Sequence, residues 1–552
     1  MAADPTVRYR HVRIVIGRSA MNPVRQGIGA GVLLSTALGL VACGGGGSGG
    51  SVGGAPPGGP PANPVYTVGH FDPPGNFAAY CAVPRVGTDA YTGQTYPDRA
   101  GSTTWENHWL RAWSAAYYLW YRELPDLDPA AYPTPSAYFK LLKTTAVTAS
   151  GTPKDRFHFT YPTAQWEAFA TAGTQLGYGV TWAFLAVTPP RQLIVAYTEP
   201  NSPASQAPID RGASVLQIDG VDLVNGNTQA DVDRLNAALS PTRSGEAHSF
   251  TVLDPSGATR TVSMSAAAVT SQPVRNVQVL PIANGQVGYL QFNDHIQSAE
   301  AQLMSAITFL GTSQVTDLVL DMRYNGGGYL DIASETAFMV AGTARTANRT
   351  FELLAFNDKY PTTNPITGAA LRPTPFYGTT RFAASSTALP SLNLGRVFII
   401  AGGDTCSASE SVINSLNGIG VTVVLIGEQT CGKPYGFYAD DNCGTTYFSI
   451  QFKGVNDVGF GDYADGFVPA NAFAYNGAVP LPGCAVADDF AHALGDPAEA
   501  RLAAALQYAA TGTCPTPTAV APAPGLATTA RVASAHVVKP VWLMNRILQR
   551  PR

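Results

Sequence analysis

The stretch that most constrains this chain runs from residue 396 to 437. Arg396 to Ala401 is a β-branched and aromatic run closed by Gly402 and Gly403, so it reads as a buried strand. From Thr405 onward, Val412, Ile413 and Leu416 recur at helical spacing until Gly418-Ile419-Gly420 stops the pattern. Val421 to Ile426 is a second buried strand. Strand, helix, strand is the βαβ unit of a parallel sheet.

Ser407 falls where the first strand turns into the helix. Free backbone N–H groups at such a turn can hold a developing oxyanion, and the helix dipole favours negative charge there. Glu410 lies one helical turn further on the same face. Lys433 follows the second strand, and parallel strands deliver their C-terminal ends to one edge of the sheet. The three side chains are therefore expected to meet. A serine hydroxyl needs a base, and a lysine can be that base once burial disfavours its ammonium form. The same spacing also fits a helix N-cap at Ser407, a capping-box acid at Glu410 and a surface charge at Lys433.

Ser407-Ala408-Ser409-Glu410, followed by Gly427-Glu428-Gln429-Thr430-Cys431-Gly432-Lys433, resembles the core of the carboxyl-terminal processing proteases, the tail-specific Ser/Lys peptidases of family S41. The resemblance implies Ser407 as nucleophile, Lys433 as base and Glu410 as a third member that orients the lysine or the serine. Other members use a glutamine four residues after the lysine; Phe437 stands there in this chain. Asp321-Met322-Arg323-Tyr324-Asn325-Gly326-Gly327 is similar to a second family motif. It implies an oxyanion hole made by the N–H of Gly326 or Gly327 together with that of Ala408. Leu119 to Leu127 resembles the family's N-terminal helical segment, and Asp465 to Pro469 resembles a structural turn of the family.

A third resemblance is to a PDZ domain. Gly177-Tyr178-Gly179-Val180 precedes the strand-like Leu193–Tyr197, then Ser202-Pro203-Ala204, Arg211-Gly212-Ala213 and Val215 to Gly220. It implies that Gly177, Tyr178, Gly179 and Val180 offer N–H groups to a peptide carboxylate, while the neighbouring sheet edge accepts the peptide as a strand. A small β-sandwich with a glycine turn fits the same residues.

The fold class expected is multidomain α/β: a β/α catalytic core of the tail-specific protease type, an inserted or preceding PDZ-like β module and an N-terminal helical segment. Length and composition agree, since 552 residues at 45% hydrophobic can fill several cores. The boundaries expected are 1–43 for upstream sequence and a signal, 44–65 for a Gly/Pro-rich linker, 66–171 for the helical region, with a packed helix over 107–123, 172–266 for the PDZ-like module, 267–512 for the catalytic domain and 513–552 for a Pro/Ala-rich, basic, disordered tail. Within the catalytic domain, strands are expected at 288–292, 317–321 and 447–452, helices at 298–310 and 496–510, and a long excursion along the active-site edge at 345–394.

The apolar run Ile28–Leu40 is short for a membrane span and leads into Leu40-Val41-Ala42-Cys43. This resembles a bacterial lipoprotein signal, which implies lipidation at Cys43. Gly44 after the cysteine resembles lipoproteins sent to the outer membrane, so the chain is expected on the periplasmic side of the cell envelope, held to the membrane by a lipid anchor. The remaining six cysteines, Cys81, Cys406, Cys431, Cys443, Cys484 and Cys514, suggest disulfides in an exported chain. Six cysteines allow about 15 pairings; Cys431 can link to Cys443 across a hairpin and Cys484 to Cys514 at the last helix, with Cys406 either bridged beside Ser407 or a buried thiol. No zinc-ligand spacing occurs, so neither metal nor cofactor is expected. A net charge of −4 without a basic patch argues against nucleic acid as a partner. The expected partner is a protein or peptide substrate and the expected function a serine endopeptidase. A non-catalytic protein binding peptides or apolar ligands on the same fold is the alternative, and the sequence leaves the oligomeric state open.

Overall fold

The computed structural model describes residues 61–516, apart from residue 208, and the backbone of residues 536–538. The segment that resembles a lipoprotein signal, Cys43 and most of the expected linker lie outside the described residues.

The N-terminal region is less helical than its composition suggests. Helix α1 (Thr103–Tyr117) starts at Ser102, whose hydroxyl accepts the Trp105 N–H, and buries Trp109, Leu110 and Trp113. The helix expected to reach Glu123 stops at Tyr117. Tyr118 turns extended, and its hydroxyl donates to Asp155 at 2.6 Å, a tertiary bond that local pattern does not report. Much of the remainder up to residue 171 is irregular chain held by aromatic packing, with Trp113 against Phe139 and Trp109 against Tyr447.

Next comes the β module. It contains β1 (Thr174–Gly177), β2 (Val180–Ala186), β3 (Gln192–Thr198), β4 (Ser214–Ile218), α2 (Gln229–Leu239), β5 (Ala247–Leu253), β6 (Thr259–Ser265) and β7 (Ala267–Thr270). The antiparallel order is β6-β5-β4-β3-β2, with β1 paired to β7. Trp182, Phe184, Val195, Leu235 and Phe250 form its core under α2.

The central sheet of the larger domain runs β8 (Val274–Ile282), β9 (Gly285–Phe292), β10 (Asp317–Asp321), β11 (Arg396–Ala401), β12 (Thr422–Gly427) and β13 (Gly483–Ala485) in spatial order. Only β8 is antiparallel to its neighbour. Alternate residues face two cores, as a period of two requires. Leu318, Leu320, Ile399 and Leu425 pack under α3 (Ala299–Thr312), α4 (Leu330–Thr346) and α5 (Ala408–Gly418). Val319, Phe398, Ile400 and Ile426 pack on α6 (Ala500–Thr511). The βαβ unit of β11, α5 and β12 stands where its pattern puts it.

Three expectations about this domain change. The helix expected from Asp496 starts at Ala500, because Glu499 is its cap and accepts the Leu502 N–H at 3.0 Å. The strand expected over 447–452 is two strands, Thr445–Phe448 and Phe452–Val455, which pair with different partners. The excursion at 345–394 contains a strand, Thr350–Phe356, in a sheet with Tyr435–Gly436 just beyond Lys433. In the tail expected to be disordered, His536–Val538 form a strand, β14.

A buried ionic cluster joins module to domain. Arg323 lies between Asp321, Glu499 and Asp488, and Arg211 of the β module donates to Asp488 at 2.8 Å and to the Tyr324 hydroxyl at 2.7 Å. Each guanidinium meets carboxylates that offset its desolvation.

Glu335 on α4 is a different case. Burial, followed by the neighbouring Glu300 carboxyl group, pushes its carboxyl up to about 10. A folded value above the unfolded one means that the folded chain holds a proton the unfolded chain has lost. Stability then falls as pH rises from about 4.5 to about 10, by up to ~1.4 kcal/mol per pH unit. Glu335→Gln is expected to flatten that slope and raise Tm increasingly between pH 6 and 9, measured by thermal unfolding. A parallel shift at all pH values would show that Glu335 does not hold this proton.

Candidate active site

Ser407 sits at the N-terminus of α5 with φ 59° and ψ −119°. A non-glycine residue in this region costs about 1–3 kcal/mol and persists where surroundings impose it. Its surroundings are specific. The Cys406 N–H and the Ser409 hydroxyl both donate to the Asn325 carbonyl, at 3.1 and 3.0 Å. The Ser407 hydroxyl is buried and has no hydrogen-bond partner among the described residues.

Glu410 organises the turn. One carboxylate oxygen accepts the N–H of Ser407 at 3.1 Å and that of Lys433 at 2.8 Å. The other accepts the Gly432 N–H at 2.8 Å and the Thr430 hydroxyl at 2.5 Å. Burial raises its carboxyl and these four donors oppose the rise. The sequence led us to expect Glu410 to orient a side chain of the Ser/Lys pair. Its oxygens hold the backbones that carry both, and one of them also accepts the Thr430 hydroxyl. A disulfide between Cys406 and Cys431, Cα atoms 5.2 Å apart, ties the same two turns. Cys443 pairs with Cys81 rather than with Cys431, because strand Asp440–Asn442 runs beside the N-terminal region and the Ala79 N–H reaches Asn442 at 2.9 Å. Cys484 and Cys514 pair as expected.

The Lys433 side chain is 1% exposed. Its amine lies 4.0 Å from the Phe437 ring centre and 5.3 Å from that of Phe157. Desolvation holds it well below the ordinary lysine value, with the Arg156 charge adding to that and Asp155 and Glu410 opposing it. Phe437, where some relatives carry glutamine, thus helps to keep the amine dry. Arg156 donates to the carbonyls of Cys431 and Gly432 and fixes the turn from outside. The sequence reading missed Asp155, Arg156 and Phe157. Their signal is a charged pair set against the aromatic run Phe157–Tyr161, which only the fold connects to Lys433.

The glycine loop closes the site. A Cβ on Gly327, at φ 99°, would stand 2.8 Å from the Ser407 Cβ and 2.9 Å from the Ala408 nitrogen, so only glycine allows the loop to lie on the serine turn. The Gly327 N–H donates to the Asn325 side chain at 3.0 Å. The N–H groups of Gly326 and Ala408 donate to no other described residue. Of the two glycines expected as oxyanion donors, Gly327 is therefore engaged already.

In the β module, Gly177 ends β1 and Val180 begins β2. Between them the Tyr178 and Gly179 carbonyls accept the N–H groups of Ala204 and Glu199, at 2.9 and 2.7 Å. Gly179 has φ 79°, and a Cβ there would run into Ser202. The Tyr178 ring is buried. Among the described residues, Cys406, Glu410 and Cys431 are the one group compact enough to suggest a metal, but the disulfide takes both sulfurs and the carboxylate is filled by donors.

Residues 286–436 match the model of peptidase family S41, and residues 106–160 match the peptidase S41 N-terminal domain. The two matches span the glycine loop, the Ser407 turn and Lys433, and the N-terminal stretch that holds Asp155, Arg156 and Phe157. It is 26% identical over 236 residues to a carboxyl-terminal-processing protease of a Picosynechococcus species, covering 42% of this chain and 49% of that protein. It is 30% identical over 184 residues to a chloroplastic C-terminal processing peptidase of Tetradesmus obliquus, covering 31% and 38%. The chain therefore spans half or less of the length of these curated relatives. A crystal structure from Bacteroides fragilis, described as an S41 protease, superposes with a TM-score of 0.55 at 22% identity, over 76% of this chain and 98% of that one, and shares the fold.

Glu410→Gln should lower Tm. An amide keeps one acceptor oxygen and turns N–H groups toward backbone donors, leaving buried N–H groups unmet at about 1–3 kcal/mol each. Thermal unfolding with the disulfides intact measures this, and an unchanged Tm would contradict the role given to Glu410.

Proposed function

We propose that this chain is a serine endopeptidase of the tail-specific type, acting on exported or unfolded proteins. Ser407 is the nucleophile and Lys433 the base. The observation that carries this reading is the pairing of an unpartnered hydroxyl at a positive-φ turn with a desolvated lysine whose backbone shares one Glu410 oxygen with it.

The neutral Lys433 amine takes the Ser407 proton as the Ser407 oxygen attacks the peptide carbonyl carbon. The carbonyl oxygen gains the negative charge and is held by the N–H groups of Ala408 and Gly326. Lys433 then returns the proton to the leaving amine nitrogen, and the C–N bond breaks. Water attacks the resulting ester with the same lysine as base, which restores Ser407. Burial of Lys433 is what makes this work near neutral pH, since an ordinary lysine would be charged there.

The β module holds the tail of the substrate, and Gly177 to Val180 form the turn beside which that tail ends. The chain acts on the periplasmic side of the envelope, held by a lipid at Cys43. Three disulfides favour an oxidising compartment. Among the described residues, no helix is long and apolar enough to cross a membrane.

Degradation of an unfolded reporter tests the reading. Ser407→Ala and Lys433→Ala are each expected to lose at least ~10³-fold in kcat/KM while keeping the parent Tm. Retained cleavage by either would remove that residue from the mechanism. Tight peptide binding without any cleavage by the parent would favour a binding protein. In a second measurement, the acid limb of kcat/KM against pH should lie well below 10.5, the ordinary lysine value. A limb at the ordinary value would exclude Lys433 as a buried base.

A further inference from the structure

Within the β module, β2 is an edge strand. β3 covers one side of it, and the module itself supplies nothing for the other. The strand that fills that side comes from the far end of the chain. β14 runs antiparallel to β2, with His536 opposite Phe184, Val537 opposite Ala183 and Val538 opposite Trp182. Its direction carries the chain toward Val180 and the glycine turn that precedes β2.

An extended segment laid antiparallel on a free edge, heading for the turn that opens the strand, is β-strand addition. Main-chain bonds supply the affinity, so an internal segment serves as well as a terminus. Val538 is followed by residues 539–552, so no terminal carboxylate is needed to hold this stretch. The edge also adjoins the catalytic domain. Trp182 and Phe184 face the module core, whereas Ala183 packs with Ile194, Tyr197, Tyr324 and Leu494. Tyr324 lies two residues before Gly326, so whatever pairs with Ala183 sits at the joint between the module and the glycine loop.

We infer that residues 536–538 are a built-in competitor: the chain's own tail occupies the β2 edge, and an extended substrate segment must displace it to bind. The inference rests on the reading of the module as a peptide binder given above. The tail is tethered at Cys514, which is bonded to Cys484 of β13. A covalent link of this kind sets an effective concentration on the order of 1 mM. Against a free-edge Kd of ~10–100 μM, such a competitor would weaken peptide binding in trans by about 10–100-fold.

The test is a binding measurement on the full chain carrying Ser407→Ala, so that no probe is consumed. The probe is a fluorescein-labelled peptide of residues 530–545, followed by anisotropy. Successive N–H groups of a strand point to opposite sides, so Val537→Pro/Val538→Pro removes whichever one faces β2. This variant, and a chain ending at residue 516, should each bind the peptide at least ~10-fold more tightly than the parent. Equal affinity in all three, or no binding to the opened chains at 1 mM peptide, would overturn the inference. Binding needs no catalysis, so the two readings fail separately. A tenfold gain in a protein that never cleaves would sink the peptidase reading alone. Cleavage with no gain would sink the competitor alone.

Discussion

The buried carboxylate of Glu410 is the interaction on which the site depends. A charged group taken out of water needs compensating donors, and four of them come from two chain segments that the sequence separates. Their convergence fixes the serine turn against the lysine turn. The disulfide between Cys406 and Cys431 repeats that connection covalently. Backbone strain at Ser407 is sustained because both sides of the turn are held.

The parallel sheet makes this convergence available. β11 and β12 end at the same edge, so the turns that follow them start as neighbours. β10 ends there as well and delivers the glycine loop onto Ser407. The N-terminal region then closes the lysine pocket with Asp155, Arg156 and Phe157. Desolvation of Lys433 is accordingly a property of several segments together, and no single motif contains it.

The same economy links the β module to the core. Arg211 reaches Asp488 and Tyr324, Arg323 reaches Asp321, Asp488 and Glu499, and Glu499 caps α6. Each carboxylate serves two duties, which makes the joint between module and domain a single buried network. Tyr324 belongs both to that network and to the segment that carries the glycine loop. An event on the β module edge therefore has a short material path to the site.

By itself the sequence determined the βαβ unit, the position of Ser407 at its turn and the glycine segment. Each is a local pattern: a period of two or of three to four residues, closed by glycines. Of the two cysteine pairings the sequence suggested, Cys484 with Cys514 forms and Cys431 with Cys443 does not. Tertiary structure decided what local pattern cannot hold. The helix at 103 ends at Tyr117 because Tyr118 bonds to Asp155, and Cys443 pairs with Cys81 because a strand runs beside the N-terminal region. Glu410 gathers the N–H groups of Ser407, Gly432 and Lys433 and the Thr430 hydroxyl because the two turns point them into the same dry space. The Lys433 amine is held well below the ordinary lysine value for a like reason. Burial is a sum over distant segments, and a sequence read one window at a time has no term for it.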